Sequence, residues 1–477
     1  MPNTLSINND FCFLNLESDT INNALYNSLR FRDKGYFHSP QYKMFRRFGG
    51  KKGWDGYVDF YGKEKGKFAT GLLPEVVKAL TKVHVKVQIT DNRTAPIKNN
   101  EITKDSLSEY NDRDGNQIEL YDYQHEIANK AWKHERGIIK AATSAGKTML
   151  FISMIKSIPP NTPTLILFRT KTLASQTYKE FKKFGLENVG LVHGEVKDPN
   201  IIMCATIQSA HNFESLLPKF KILIVDECHE FATNKSISIF KKMKGCRYRF
   251  GFSATPWSEK DDVKKYRLKS WFGAVLDEIK TDYLQERNIL SDSICNFHLI
   301  DEPHDIYALN YQDAYEQGII KNKHFHDKVK QIMDSYDSGR HIIVVERIEH
   351  GDALHTTIPG SLWVQGSDDQ KTRERIIEQL CNSEPDEKVI AIATRILQTG
   401  VNIFVHSVTN AAGYKSDIMT IQRIGRGLRT AKDKERLDYH DFMFNNNDYL
   451  MRHSKARMKY LKKEGHKIVE HYDKKCI

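Results

Sequence analysis

The chain has 477 residues, 40% of them hydrophobic and 28% charged, which fits two or three domains with ordinary cores. No apolar run is long enough to span a bilayer, and the start, Met1-Pro2-Asn3-Thr4-Leu5-Ser6, lacks a basic stretch followed by an apolar one; neither a membrane span nor a secretory leader is expected. The formal net charge of +11 favours a polyanionic partner such as nucleic acid, unless it is spread evenly as a solubilising surface. Seven cysteines stand without a Cys-x-x-Cys pair or zinc spacing, which suggests a reducing compartment.

Residues 1–95 read as a small α+β domain. Phe11 to Leu16 has a strand pattern, and Ile21 to Leu29 a helical one with Thr20 as its N-cap. Arg30 to Thr70 holds eleven Lys/Arg against four acids, interleaved with aromatics. Its turn, Gly49-Gly50-Lys51-Lys52-Gly53-Trp54-Asp55-Gly56, follows Arg46 and Arg47. Cations can grip phosphates and aromatics can stack on bases, so Arg46, Arg47, Lys51, Lys52 and Trp54 are candidate nucleic-acid contacts. The competing reading makes the aromatics core and the lysines solvated.

Residues 96–118 are polar and read as a linker. From 119 to 295, apolar strand candidates alternate with helical patterns, which implies a parallel α/β sheet. A second α/β set fills 296–445, and 446–477 reads as a basic helical tail. The expected fold class is therefore α/β, two tandem parallel-sheet lobes preceded by a small α+β N-terminal domain.

Three stretches carry chemistry. Ala142-Thr143-Ser144-Ala145-Gly146-Lys147-Thr148 follows a strand and opens a helix, the arrangement in which backbone N–H groups and a helix N-terminus cradle phosphates. Lys147 would reach the terminal phosphates, and the Thr148 hydroxyl would hold magnesium. The strand Ile222 to Val225 ends in Asp226 and Glu227. Phosphoryl transfer to water needs a carboxylate on magnesium and a group that orients the water; Asp226 suits the first task and Glu227 the second. Gln422-Arg423-Ile424-Gly425-Arg426-Gly427-Leu428-Arg429 places arginines three apart, able to point towards one place.

Together these stretches resemble the superfamily-two DExH helicases over residues 120 to about 430. The resemblance implies two RecA-like lobes with ATP and Mg2+ between them. Tyr121 and Gln124 fall in the adenine-reading segment. Motif I supplies Thr143, Ser144, Ala145, Gly146, Lys147 and Thr148, and motif II is Asp226-Glu227-Cys228-His229. Ser253-Ala254-Thr255-Pro256 resembles motif III, and Gly400 belongs to motif V, where Asn402 replaces the aspartate of many relatives. Motif VI makes Gln422, Arg426 and Arg429 catalytic, the arginines as fingers. Arg169, Thr206, Ser209 and Thr394 match strand-binding motifs, with helix capping the competing role for Ser209 and Thr394.

The N-terminal Gly53-Trp54-Asp55-Gly56, the Thr-Ser-Ala-Gly-Lys loop and Lys235-Ser236-Ile237-Ser238 after motif II narrow the likeness to UvsW-type phage helicases. That likeness implies a DNA helicase of recombination, repair and replication, acting in the host cytoplasm. Expected substrates are single-stranded and branched DNA (forks and Holliday junctions) and RNA–DNA hybrids, with single-strand binding or recombination proteins as partners. The alternatives are an RNA helicase, a duplex translocase that separates no strands, and a non-catalytic DNA-binding clamp.

Overall fold

The computed structural model describes residues 2–112, 115–142, 144–301, 306–384, 386–394, 405–415 and 436–472. By contact it divides into Met1–Ala141 with Gly146–Glu278, and Ile279–Ile477 with Ala142–Ala145. The N-terminal region begins with seven short strands: β1 (Thr4–Ile7), β2 (Phe11–Asn15), β3 (Arg30–Arg32), β4 (Tyr57–Asp59), β5 (Tyr61–Gly62), β6 (Lys67–Ala69) and β7 (Gln88–Asp91). Five of them form a sheet in the order β5-β6-β2-β1-β7, and β3 pairs with β4. Leu5, Ile7, Cys12 and Leu14 alternate inwards, as a half-buried strand requires, and meet Leu25, Tyr61, Phe68, Val76 and Leu80 in a core of their own. The first helix is Asp19–Ser28, and its cap is Ser18, not Thr20: the Ser18 hydroxyl accepts from Ile21 N.

This region has its own core yet groups with the first lobe. The buried Arg136 guanidinium donates to the Asn9 carbonyl. Phe11 meets Trp271 edge-on at 5.6 Å, and Phe31 stacks on Tyr266 at 4.2 Å. Lys269 pairs with Glu75, and Arg93 with Glu135. Residues 96–118, expected as a linker, are also docked. Ile102 and Leu107 are buried, Asn129 bonds both backbone polar groups of Ile102, and Lys156 reaches Glu109 and Tyr110.

The first lobe contains β8 (Arg136–Ala141), β9 (Thr164–Phe168), β10 (Val189–His193), β11 (Val196–Asp198), β12 (Ile202–Thr206), β13 (Ile222–Asp226), β14 (Tyr248–Ser253) and β15 (Val275–Ile279). Their order is β11-β10-β12-β9-β13-β14-β8-β15. From β10 through β8 the neighbours are parallel, and the β10–β11 hairpin is antiparallel. Strands β9, β12, β13 and β14 are buried throughout, which explains why they read as unbroken apolar runs rather than alternating ones. The register pairs Ser253 with Lys140 and Asp226 with Phe252, so the carboxyl ends of β8, β14 and β13 share one edge. Ligands of such sheets bind at that edge.

The second unit holds β16 (Asp292–Ile300), β17 (Gly339–Val344), β18 (Leu362–Val364), β19 (Lys388–Ala393), β20 (Ser407–Asn410), β21 (Arg436–Phe444) and β22 (Lys467–His471), in the order β18-β19-β17-β20-β21-β16-β22. Every described pairing is parallel. Two boundaries differ from those expected of the sequence. The first unit ends at Glu278 rather than at 295, and β16, which starts at Asp292, belongs to the second sheet. The basic tail is built into the fold as well. Helix Asp448–Lys463 buries Leu450, Ser454, Arg457 and Leu461, and β22 pairs with β16. Arg457 Nη2 sits 2.7 Å from Asp441 Oδ1, with both side chains almost fully buried. Its Nη1 donates to the Tyr414 carbonyl at 2.6 Å.

Candidate functional site

The first-lobe site grows from three strand ends. After β8, the small side chains of Ala142, Ser144, Ala145 and Gly146 let the backbone turn tightly. Ser144 has φ +69° and Gly146 +73°, the left-handed region. The left-handed φ at Gly146 favours glycine, and a Cβ there would come within 2.3 Å of Gln124 Nε2 and make that amide shift. Helix Lys147–Lys156 then starts at Lys147, anchored by buried Leu150, Phe151, Ile152, Met154 and Ile155. Its free N–H groups and macrodipole face the loop, a cradle for an anion. Thr148 lies in the first turn, half-buried. Gln124 is buried in the first turn of helix Asp122–His134, and its Oε1 accepts from Tyr121 N at 3.0 Å. Tyr121 is largely exposed and stacks on Tyr123.

The apolar run Ile222–Val225 delivers Asp226 and Glu227 to the same edge. Glu227 adopts φ +49°, a strained conformation for a side-chain-bearing residue, and its N–H donates to Asp226 Oδ1 at 3.0 Å. Lys147 Nζ lies 2.6 Å from Glu227 Oε1 and 3.3 Å from Asp226 Oδ1. Burial alone would make Lys147 less basic, but the two carboxylates outweigh it and hold the ammonium well above its ordinary pKa. Burial pushes both acids up as well. Glu227, nearer the lysine and also bonded to His229, is nevertheless pulled below the usual carboxylate range. Asp226, farther from Lys147 and beside the charged Glu227, stays raised.

Motifs II and III meet here. His229 is buried, with Nδ1 at 2.9 Å from Ser253 Oγ and 3.3 Å from Glu227 Oε2, and Nε2 at 3.4 Å from Glu230 Oε1. Burial would lower the imidazole pKa, but the flanking Glu227 and Glu230 raise it overall. Ser253 Oγ also accepts from Thr255 N. Sequence reasoning assigned Glu230 no role. The only signal for it was an acid directly after Asp-Glu-Cys-His, and its partner, Arg169, lies 61 positions earlier.

The expected ATP and magnesium ligands therefore fall together where they are described. Thr143, Gly400, Gln422, Arg426 and Arg429, with Asn402, lie outside the described residues. The donor set fits a magnesium nucleotide: an anion cradle, an ammonium already neutralised by carboxylates, a hydroxyl and a buried carboxylate.

The expected nucleic-acid contacts divide. Arg46, Arg47, Lys51 and Lys52 are exposed around helix Pro40–Arg47, and among the described residues none has an ion-pair partner. Arg47 and Lys52 flank the exposed Phe48 ring at 5.9 and 5.7 Å. Trp54 is half-buried and braces the turn, donating to the Tyr57 carbonyl. Gly53 allows it, since a Cβ there would strike Gln41 O at 2.3 Å. Arg169 is half-exposed and paired with Glu230. Thr206 and Ser209 point inwards and bond each other at 3.2 Å, so those hydroxyls already have an internal partner. Thr394, half-buried after β19, donates its N–H to Val364 O.

Among the described residues, no helix is long and apolar enough to cross a membrane. Residues 117–258 match the family model described as type III restriction enzyme, res subunit, and residues 325–431 match the helicase conserved C-terminal domain. The DNA 3'-5' translocase XPB2 of Sulfurisphaera tokodaii is 28% identical over 67% of this chain and 80% of its own length. The ATP-dependent DNA helicase uvsW of Enterobacteria phage T4 is 25% identical over 65% of this chain and 66% of its own. Among solved structures, the ATP-dependent type ISP restriction-modification enzyme LlaBIII bound to DNA aligns with a TM-score of 0.55 at 15% identity. That alignment spans 83% of this chain and 34% of that one. With one family model on each lobe and relatives named as a DNA translocase and a DNA helicase, the chain is similar to the superfamily-two helicases.

Proposed function

We propose that this protein is an ATP-driven DNA motor that remodels branched DNA. The observation that carries the reading is Lys147, buried between Asp226 and Glu227 at the carboxyl edge of the first sheet. Bound magnesium would neutralise phosphate charge and help stabilise the transferring phosphoryl group. Thr148 and Asp226 would hold it, and Lys147 would turn from its carboxylates to the terminal phosphates. Glu227 would orient the attacking water and take its proton. Tyr121 and Gln124 would meet the base. The helicase resemblance assigns the transition-state charge to Gln422, Arg426 and Arg429, which lie outside the described residues.

The DNA part of the reading is supported by the relatives, named as DNA translocase and DNA helicase. The unpaired cations of the N-terminal tip support contact with phosphates on the duplex side of a fork or junction. Domain roles follow: 1–95 engages DNA, and the two lobes hydrolyse ATP.

Steady-state ATP hydrolysis tests this with four additions: none, single-stranded DNA, a four-way DNA junction, and single-stranded RNA. Strongest stimulation by the junction is expected. Stimulation by RNA alone would move the protein to the RNA helicases, and a rate indifferent to every polymer would refute the motor.

A further inference from the structure

The two carboxylate oxygens of Glu227 face two different partners. Oε1 lies 2.6 Å from Lys147 Nζ, and Oε2 lies 3.3 Å from His229 Nδ1. His229 is shared in turn, because its Nε2 is 3.4 Å from Glu230 Oε1 without bonding it. That same Glu230 oxygen is ion-paired with Arg169 Nη1. An unbroken line of charged and polar groups thus runs from the half-exposed Arg169 to Glu227, the group proposed above to orient the water.

We propose that Glu230 is a positioning residue through which nucleic acid bound at Arg169 releases Glu227 from His229. The proposal rests on the motor reading above and concerns how its two ligands are coupled. Arg169 is 53% exposed and Glu230 34%, and pairs that open to water are weak. A backbone phosphate offers the same guanidinium a charge-assisted, bidentate partner, so the exchange is easy. Once Arg169 has turned to phosphate, Glu230 Oε1 is left with His229 Nε2 as its neighbour. The imidazole closes on it and withdraws from Glu227 Oε2. A nucleotide bound at Lys147 frees Oε1, and nucleic acid at Arg169 frees Oε2. Glu227 is fully available only when both ligands are present.

Two substitutions give opposite signatures, which loss of folding would not. Arg169→Ala leaves Glu230 to His229 permanently, so hydrolysis without DNA rises by about five-fold, and added DNA stimulates little. Glu230→Gln removes the negative charge that competes for Arg169 and leaves His229 only a neutral, weaker acceptor. Half-saturation by a single-stranded oligonucleotide then occurs at lower concentration, while the stimulated kcat falls. In the double variant the rise in basal rate disappears. The measurement is steady-state ATP hydrolysis across a DNA titration, with thermal melts to verify folding. A basal rate in Arg169→Ala at or below that of the unsubstituted protein overturns the proposal. So does a Glu230→Gln protein with unchanged half-saturation and stimulated rate. An unsubstituted protein that DNA fails to stimulate refutes the motor instead, and the Arg169→Ala basal rate still reports on the link to Glu227.

Discussion

Lys147 sits between carboxylates of unequal distance, and that inequality sorts their roles. Glu227, at 2.6 Å, is held ionised and is the group proposed to orient the water, while Asp226, at 3.3 Å and deeper in the sheet edge, is the one proposed to hold magnesium. Replacing Lys147 by alanine is expected to abolish turnover and leave DNA affinity within about two-fold, since the groups that meet the polymer lie elsewhere. Filter binding beside an ATPase assay checks both halves, and persistent turnover would refute the site assignment. Glu227→Gln keeps the shape and removes the base. It is expected to bind ATP normally while single-turnover hydrolysis falls by about 10²–10⁴-fold. At this scale the sequence was legible where chemistry dictates the residue. A lysine after a glycine turn and an acid pair after a buried strand each have other uses, and it was their order and spacing along one sheet that made them readable. Thr206 and Ser209 were harder to read, because the same hydroxyls that could meet a phosphate serve equally to bond each other.

Among the elements, strands buried on both faces announced themselves, as Ile222–Val225 did by its unbroken apolar run. β16 and β22 did not. β16 mixes His298 and Asn296 with its apolar residues, and only the register with β21 shows where it belongs. Histidines are frequent in this sheet and the helices around it. Burial drives His298, His350 and His440 down to about 3, and His341, His453 and His466 to about 4. Each is neutral when folded and charges first when unfolded. The stability these histidines contribute to the second lobe is therefore fully present above about pH 6.5 and is lost as pH falls from there towards about 3. Thermal melts at about pH 7.5 and 5.0, with hydrogen exchange to locate the change, should show the second lobe opening first in acid. Equal losses in both lobes would contradict this. In the same lobe, Arg457→Ala would strand the buried Asp441, at a cost of about 3–5 kcal/mol in denaturant unfolding.

At the scale of the whole molecule, the N-terminal region was legible as a separate composition but not as an attached body. Nothing in the sequence pairs Asn9 with Arg136 or Phe11 with Trp271, because such partners stand more than a hundred residues apart. Deleting residues 1–95 should therefore do more than remove a DNA-binding surface. It strips one acceptor from a buried guanidinium and bares Trp271, so the melting temperature of the first lobe should drop by several degrees. An unchanged melt would show that the two parts are energetically independent. A cleaner probe of DNA binding is charge removal at Arg46, Arg47, Lys51 and Lys52 by glutamine. Each phosphate left without its cation should reduce the logarithmic salt slope of duplex binding by about 0.9. An undiminished slope would return these cations to solvent.

The same attachment sets a schedule for synthesis. The first ninety-five residues leave the ribosome with their small core complete but with Phe11, Phe31 and Glu75 still facing water. Their partners Trp271, Tyr266 and Lys269, all on helix Asp262–Phe272, emerge more than 150 residues later, roughly 10–35 s at common elongation rates. Throughout that interval the nascent chain carries a bare aromatic face, the period in which a chaperone or a premature stop would matter most.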